Sequence, residues 1–168
     1  GAKIPWANRI NDLVRQEEYG KLICFLAAAY RKQGHKVLLL SDRVYFLKRI
    51  KETLGEHCEL ITGEVALAER EKKIERVQTG KVDILLGTQS IFSEGISVNP
   101  LSCLILATPV SNTPLLTQLI GRVIREYPGK IDPVIVDINL KGKTAEKQAK
   151  VRLGHYLQQE HKVFFKPM

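Results

Sequence analysis

The amino-acid sequence predicts an α/β fold, in which a parallel sheet is covered by helices on both faces within a single domain. Short apolar segments bounded by turn residues alternate along the chain with longer segments of helical periodicity. Strands that alternate with helices in this way form β-α-β units, and such units build parallel sheets. The chain has 168 residues, 44% of them hydrophobic, which is enough for one domain with a substantial core.

The helices are predicted from apolar residues that recur at three- and four-residue spacing. They cover residues 4–16, 17–32, 43–54, 66–78 and 144–158, together with a helix that begins near Pro114 and continues through 118–125. Gly34, Gly55 and Gly80 are expected to end three of them, because glycine readily adopts the left-handed conformation that closes a helix.

The strands are predicted from short, mainly apolar runs flanked by turn residues, which is the pattern of strands buried on both faces of a sheet. They cover residues 37–40, 58–61, 82–86, 103–107, 134–138 and 163–165. The chain is therefore expected to divide into helices that lead into the domain (1–34), an α/β core (35–140) and a basic C-terminal helix with a short strand packed on the core (141–168).

The charge of the chain indicates an anionic partner. The formal net charge is +8 and the isoelectric point is about 9.5, values that favour nucleic acid as the partner. Residues 141–168 carry seven Lys or Arg against two Glu, so five of the eight excess positive charges lie there. A solvated helix face would explain this segment equally well, and basicity alone does not decide between the two.

Other residue types exclude some classes of protein. No apolar run approaches the roughly 18 residues of a membrane span, and no N-terminal segment has the pattern of a signal peptide. Cys24, Cys58 and Cys103 are scattered without metal-ligand spacing, which predicts reduced core thiols and an intracellular, reducing setting. No metal site is expected: the four histidines also lack ligand spacing and are predicted to be surface or turn residues (His35, His57, His155, His161).

Small polar residues and glycines follow three successive predicted strands. Since the carboxyl ends of parallel strands lie at one edge of a sheet, these residues are expected to form one polar edge, where ligands of such sheets bind. Their side chains and backbone N–H groups can approach a phosphate backbone closely. The residues predicted to bind nucleic acid are Ser41, Arg43, Thr62, Gly63, Thr88 and Gln89.

The predicted helix through 118–125 carries a second polar cluster. Gln118, Arg122 and Arg125 are spaced i, i+4 and i+7, so an amide and two guanidinium groups project from one side of the helix. Gly121 removes bulk where another surface must approach. Two permanently charged planar groups beside an amide suit a polyphosphate, although two solvated arginines would also fit the pattern.

The chain lacks the glycine-rich loop that normally holds a nucleotide. It contains neither Gly-x-x-x-x-Gly-Lys-Ser/Thr nor Gly-x-Gly-x-x-Gly. The chain thus has arginines that suit a phosphate but no loop to hold the nucleotide. This combination is expected if the chain is one lobe of a two-lobed motor. The other lobe would then hold the nucleotide, and this lobe would supply its arginines across the cleft.

These motifs resemble the C-terminal RecA-like lobe of superfamily 2 helicases, and the resemblance covers nearly the whole chain. Gln118-x-x-Gly121-Arg122-x-x-Arg125 is similar to the sixth motif of that family, and residues 87–97 are similar to the fifth. Residues 37–43 resemble the fourth motif, and 60–63 the segment after it. The likeness is greatest to DNA helicases of phages and large DNA viruses, including the poxvirus-type transcript-release enzyme, which associates the chain with viral proteins and with transcription.

The resemblance implies an ATP-dependent helicase, a hydrolase that binds nucleotide and DNA. Arg125 would be the arginine finger on the γ-phosphate, with Arg122 and Gln118 beside it as catalytic residues. Gly95 and Ser97 would contact the nucleotide. ATP and Mg²⁺ would be held mainly by an N-terminal RecA-like lobe outside this chain, so that this lobe alone would be inactive. A viral member would be expected in the host cytoplasm or the virion.

Two positions bear on the nucleic acid that is bound. The form of the fifth motif at 94–97 fits the viral and phage group better than RNA-unwinding DEAD-box proteins, and those proteins usually carry His where this chain has Gln118. Both points favour DNA. Many family members carry Asp where this chain has Ser97, whose hydroxyl could bond a ribose only without the charge. The alternatives are an RNA helicase lobe and a non-enzymatic nucleic-acid-binding α/β module, whereas a small-molecule enzyme would need a catalytic dyad or cofactor fingerprint that the sequence lacks.

Overall fold

The computed structural model describes residues 6–89, 98, 101–108, 113–123 and 131–137. Five helices and five strands occur in these ranges. The helices are α1 (Trp6–Arg15), α2 (Glu17–Lys32), α3 (Val44–Leu54), α4 (Leu67–Gln78) and α5 (Thr113–Val123), and a short 3-10 turn follows α3 at Gly55–His57. The strands are β1 (Val37–Leu40), β2 (Cys58–Ile61), β3 (Ile84–Gly87), β4 (Cys103–Leu106) and β5 (Val134–Asp137).

The five strands form one parallel sheet in the order β2-β3-β1-β4-β5. Leu40, the last residue of β1, is level with Gly87 of β3 and Leu106 of β4, and Gly87 is level with Ile61 of β2. The carboxyl ends of neighbouring strands therefore lie at one height along a single edge of the sheet.

Helices cover both faces of the sheet, as the sequence predicts. On one face, side chains of α1, α2 and α3 pack against alternate strand residues such as Val37 and Leu39. On the other face, α4 and α5 pack against the intervening residues, such as Leu38 and Leu40. Since both sets are buried, the neighbouring strands β1 and β4 are apolar throughout rather than alternating.

The predicted element boundaries agree with the structure to within one or two residues where the structure describes them. The third strand begins at Ile84 rather than at Val82. Gly80 adopts a φ of 82°, and the Val82 N–H still donates to the Arg76 carbonyl oxygen of α4 at 3.2 Å, so the chain is completing the end of that helix. The helix predicted at 144–158 and the strand predicted at 163–165 lie outside the described residues.

The cysteines are buried as the sequence predicts, whereas one histidine is buried against the prediction. All three cysteines are free and buried, as predicted. The prediction that each histidine lies at the surface or in a turn is wrong for His35, which is 5% exposed. Its Nδ1 lies 2.8 Å from Ser102 Oγ, and its ring packs edge-on with that of Tyr30. A polar partner directly before β4 thus makes burial of the imidazole favourable.

Candidate functional site

Four strand ends form a polar rim along the carboxyl edge of the sheet. The rim comprises residues 41–43 after β1, 62–63 after β2, 88–89 after β3 and 107–108 after β4. Because the strand order is β2-β3-β1-β4, these segments follow one another as 62–63, 88–89, 41–43 and 107–108. The structure therefore brings the six sequence-predicted nucleic-acid-binding residues to one edge.

The turn after β1 is fixed by hydroxyl groups. Ser41 is fully buried, and its Oγ accepts the Arg43 backbone N–H at 3.0 Å. Thr108 Oγ1, from the end of β4, lies 3.2 Å from Ser41 Oγ and 3.1 Å from an Asp42 carboxylate oxygen. The Thr108 hydroxyl has one proton, so it donates to one of these two oxygens at a time. Ser41 thus orients the turn rather than presenting its hydroxyl to solvent.

Arg43 is held at the rim by two partners. Its Nε donates to Asn11 Oδ1 of α1 at 2.9 Å, and its Nη1 donates to Asp42 Oδ2 at 3.0 Å. A guanidinium group has five N–H donors in a fixed plane, so three remain beyond these two contacts. The Arg43 side chain is 22% exposed, which leaves part of this donor set open to a ligand.

The turn after β2 is built around backbone carbonyl groups. The Thr62 carbonyl oxygen accepts the Val65 N–H at 3.1 Å. Arg70 of α4 donates to the Val65 carbonyl oxygen at 2.8 Å and to that of Gly63 at 3.4 Å. Gly63 is exposed, and a Cβ added to it would meet no atom within 4 Å. The space beside Gly63 is therefore open to a group from outside the chain.

Gln89 carries an unpaired polar group at the centre of the rim. Thr88 and Gln89 follow β3, which lies between β2 and β1, and both residues are half-buried. The Gln89 side-chain nitrogen Nε2 is inaccessible to solvent and has no hydrogen-bond partner among the described residues. A buried amide N–H without an acceptor costs about 1–3 kcal/mol, so the polar groups at this point of the rim are not fully paired within the described structure.

The helix α5 shows the predicted division into two sides. Leu116, Leu119, Ile120 and Val123 are buried against the sheet, whereas Gln118 is exposed. Gly121 is also exposed, and a Cβ added there would meet no atom within 4 Å. The backbone of Arg122 belongs to this helix, but its side chain lies outside the described part of the structure, as do Gly95, Ser97 and Arg125.

Tyr19 of α2 joins that helix to the rim by a hydrogen bond. Its hydroxyl group donates to the carbonyl oxygen of Ala107, directly before Thr108. Its ring stacks on Phe46 with centroids 5.6 Å apart. Burial, and secondarily the charge of Asp137, raises the pKa of Tyr19 well above its ordinary value. The hydroxyl therefore stays protonated and serves as a structural donor.

Two residues that hold the turn after β1 in place were not predicted as site residues: Thr108 within the rim and Asn11 beside it. Thr108 follows the fourth strand, so the reasoning that selected Ser41, Thr62 and Thr88 could also have selected it. Asn11 lies in α1, far from the strand ends in sequence, and no pattern around it indicates a contact with Arg43. Only the packing of α1 beside the turn after β1 brings Asn11 to the rim.

The described residues contain neither a metal-binding cluster nor a membrane-spanning helix. Within those ranges, no three His, Cys, Asp or Glu side chains are grouped closely enough to hold a metal ion. No helix in the same part of the chain is long and apolar enough to cross a membrane.

A parallel α/β lobe with a polar rim at its strand ends, and a Gln-x-x-Gly-Arg helix packed on one face, is the class of structure found in the motor lobes of helicases. Residues 17–126 match the family described as helicase conserved C-terminal domain. The chain belongs to this family, as its sequence motifs predicted.

Phage and viral helicases are among the relatives of this chain. It is 44% identical over 156 residues to the probable helicase D10 of Escherichia phage T5, which covers 91% of this chain and 35% of that protein. It is 24% identical over 157 residues to a protein of Acanthamoeba polyphaga mimivirus whose name describes an ATP-dependent RNA helicase, covering 92% of this chain and 29% of that protein.

The helicase UvsW of Enterobacteria phage T4 resembles this chain in both sequence and fold. In sequence, 31% of 101 residues are identical to this ATP-dependent DNA helicase, which covers 58% of this chain and 20% of UvsW. Its crystal structure superposes with a TM-score of 0.75 at 20% identity, covering 98% of this chain and 37% of the UvsW chain. The present chain thus spans about a third or less of the length of these relatives.

Proposed function

We propose that this chain is the C-terminal motor lobe of an ATP-dependent superfamily 2 DNA helicase or translocase. The lobe would contact the phosphate backbone of a nucleic-acid strand through the rim and would supply an arginine finger to ATP held by a second lobe. The observation that carries the proposal is the common height of the strand ends, which gathers Arg43, Gly63 and Gln89 at one edge.

The rim offers groups that suit a phosphate backbone. Arg43 retains three N–H donors, Gln89 has a buried amide without an acceptor, and the space beside Gly63 is open. Charge-assisted hydrogen bonds from guanidinium to phosphate are among the stronger polar contacts. Contacts of this kind carry no base information, so binding would be independent of sequence and sensitive to salt.

The buried residues of the rim would have supporting roles. Ser41 and Thr108 would hold the turn that presents Arg43, and Thr62 would hold the turn that presents Gly63. Thr88 would position Gln89 at the end of β3. A rim shaped before the strand arrives loses less conformational entropy on binding.

ATP and Mg²⁺ would be bound mainly by the other lobe. Mg²⁺ takes oxygen ligands from carboxylates and phosphates, and the described residues of this lobe offer no cluster of that composition. From this chain, Arg122, Arg125 and Gln118 would approach the γ-phosphate, while the Gly95 backbone and the Ser97 hydroxyl would approach the rest of the nucleotide. The exposed positions of Gln118 and Gly121 on α5 are consistent with an approach from outside.

The names of two relatives point to different nucleic acids. The T4 relative is described as a DNA helicase and is 31% identical over 101 residues. The mimivirus relative, described as an RNA helicase, is 24% identical over 157 residues and keeps the RNA-helicase alternative open to test. The preference for DNA therefore rests on the fifth and sixth motifs of this chain, which include Ser97 and Gln118. A stand-alone nucleic-acid-binding module is the other alternative, and a second lobe with a phosphate-binding loop in the same reading frame would eliminate it.

The decisive experiment is the ATPase activity of the complete protein that contains this chain, measured without nucleic acid and with single-stranded DNA, duplex DNA or RNA of equal length. We expect DNA to stimulate turnover and RNA to have a weaker effect. Preferential stimulation by RNA would establish the RNA-helicase alternative. Absence of ATP hydrolysis under every condition would overturn the motor function and leave the binding module.

A further inference from the structure

Tyr45 exposes an aromatic ring beside the rim. Among the described residues, four large hydrophobic side chains are exposed: Phe25, Tyr45, Leu67 and Ile131. Tyr45 is 41% exposed and lies in the first turn of α3, two residues after Arg43. The rings of Tyr19 and Phe46, by contrast, stack on each other within the core. Tyr45 therefore leaves much of its apolar surface in water at the position where the proposed strand would pass.

A contact of α3 indicates which way this ring faces. Lys48 is one turn beyond Tyr45, so the two side chains lie on the same side of the helix. The Lys48 ammonium group lies 3.9 Å from a carboxylate oxygen of Glu64, which directly follows Gly63 in the turn after β2. The side of α3 that carries Tyr45 and Lys48 is thus the side nearer the turn after β2. Tyr45 follows rim residues 41–43 in the chain and lies on the side of α3 that is nearer rim residues 62–63.

We infer that Tyr45 is a stacking platform for an unpaired base of single-stranded DNA bound along the rim. The inference rests on the proposed function and extends it, because it adds a contact to a base and selects a single strand over a duplex. Aromatic rings next to a positively charged groove bind single strands by stacking, and every base has a face that can stack. In a duplex both faces of each base are already covered by neighbouring bases, so the same ring would gain little.

The surroundings of Tyr45 fit this use. Arg43 lies two residues before Tyr45 and Lys48 three residues after it, and each of these cations is paired with one carboxylate, that of Asp42 or Glu64. The turn after β2 has open space beside Gly63. Stacking gains apolar contact without discriminating strongly between bases. A phosphate contact at Arg43 and a base contact at Tyr45 would therefore hold the same nucleotide from two sides.

The inference is tested by measuring the affinity of the full chain for fluorescent oligonucleotides by anisotropy. The probes are a 15-nucleotide thymidine strand, the same strand with abasic sites, and a duplex of equal length. Replacing Tyr45→Ala should weaken binding to the thymidine strand by about five- to a hundredfold, the range for one stacked base. Binding to the abasic strand and to the duplex should change by less than about twofold. The salt dependence should be unchanged, since no charge is removed.

Two variants serve as controls. Tyr45→Phe retains the ring and should bind within about twofold of the wild type, since stacking needs only the aromatic face. Phe25→Ala removes an even more exposed ring, 69% exposed in the middle of α2, and should leave all affinities unchanged. Circular dichroism and thermal unfolding establish that each variant is folded.

Wild-type affinity of Tyr45→Ala for the thymidine strand would overturn the inference, as would an equal loss on the abasic strand or the duplex. In those cases Arg43→Ala should still weaken binding to every probe, so the proposed backbone contact would survive. If the wild-type chain bound none of the probes, both the inference and the proposed nucleic-acid interface would fail.

Discussion

Polar residues are paired differently at the amino edge of the sheet, where the strands begin, and at the carboxyl edge, where the strands end. At the amino edge, the Asp83 carboxylate forms one ion pair with the Lys36 ammonium group and a second with Arg31, whose Nε lies 3.6 Å from Asp83 Oδ2. Ser102 accepts the Lys36 backbone N–H at 3.1 Å and pairs with His35. At the carboxyl edge, Gln89 retains a buried amide nitrogen without an acceptor. The named polar groups of the amino edge are paired with one another, whereas this Gln89 nitrogen at the carboxyl edge is paired with no described residue, as a ligand-binding edge would allow.

Glycines show the same contrast. Gly34 and Gly80, which end α2 and α4 next to the amino edge, adopt φ values of 97° and 82° that other residues reach only with strain. Gly63 at the rim and Gly121 in α5 have no such φ and no neighbour that a Cβ would meet. The first pair is required by the fold of the chain. Nothing within the described structure requires glycine at the second pair, so the proposed contacts with nucleic acid and with a second lobe are what these two positions can test.

The largest effect is expected from the proposed arginine finger. In the complete protein, Arg125→Ala should lower ATP turnover by about 10³-fold or more while ATP binding is retained, because an arginine finger stabilises charge mainly in the transition state. Steady-state ATPase assays and nucleotide-binding titrations measure the two quantities. Arg31→Ala, at the amino edge, is the matched control and should leave turnover unchanged. Turnover near the wild-type level in Arg125→Ala would refute the arginine-finger assignment.

The glycine contrast can be tested directly by alanine substitution. Gly34→Ala and Gly80→Ala should each lower the free energy of unfolding by about 1–2 kcal/mol, because alanine is strained at positive φ. Gly121→Ala should raise it by up to about 1 kcal/mol, since alanine is the better residue inside a helix. Gly63→Ala should leave stability nearly unchanged. Urea unfolding measures all four.

Activity should show the reverse order for these glycine variants. Gly121→Ala and Gly63→Ala should impair nucleic-acid-stimulated ATP hydrolysis in the complete protein despite their stability, because the added methyl group fills space needed by another surface. Gly34→Ala and Gly80→Ala should retain activity at temperatures where they remain folded. Full activity in Gly63→Ala and Gly121→Ala would show that these positions are open without being used.

The smallest effect concerns pH and the amino edge. Burial lowers the pKa of His35, and a hydrogen bond with Ser102 opposes this only in part. Below the ordinary histidine pKa of about 6.5, the unfolded chain therefore binds a proton more readily than the folded chain. Stability from the neutral imidazole is complete above that pH and is lost as the pH falls. Urea unfolding between pH 5 and 8 should show this slope.

The His35→Gln variant should flatten this pH dependence, because the group whose pKa differs between the folded and unfolded chain is gone. The control is His57→Gln, since His57 is exposed in the turn after α3. An unchanged slope in His35→Gln would mean that other groups cause the loss of stability.

Most of the fold could be predicted because its signals are local. The segment 17–32 has acidic residues at its start, basic residues at its end and an apolar stripe, and α2 occupies those residues. The run Val37–Leu40 is apolar at every position, which is what a strand covered on both faces requires, and all four residues are buried. The start of β3 was predicted two residues too early. Val82 is apolar and buried, as a strand residue would be, but its N–H donates to α4 and not to the sheet.

The candidate site could be predicted only in part. The polar residues after each strand, together with the parallel direction of the strands, were sufficient to predict one edge. The individual contacts were not predictable, because a bond such as that from Arg43 to Asn11 joins residues 32 positions apart. The burial of His35 was missed for the same reason, since its partner Ser102 lies 67 residues away.

By itself, the sequence determined the element types, the family and the residue types that a phosphate-binding edge needs, because periodicity, turn residues and motif spacing are properties of neighbouring positions. Only the tertiary structure decided how those residues are used. The sheet order places β3 between β2 and β1, so Gln89 lies at the centre of the rim, and the packing of α1 and β4 fixes the partners of Arg43 and Ser41. These outcomes depend on contacts between segments that are distant along the chain, and no local pattern records them.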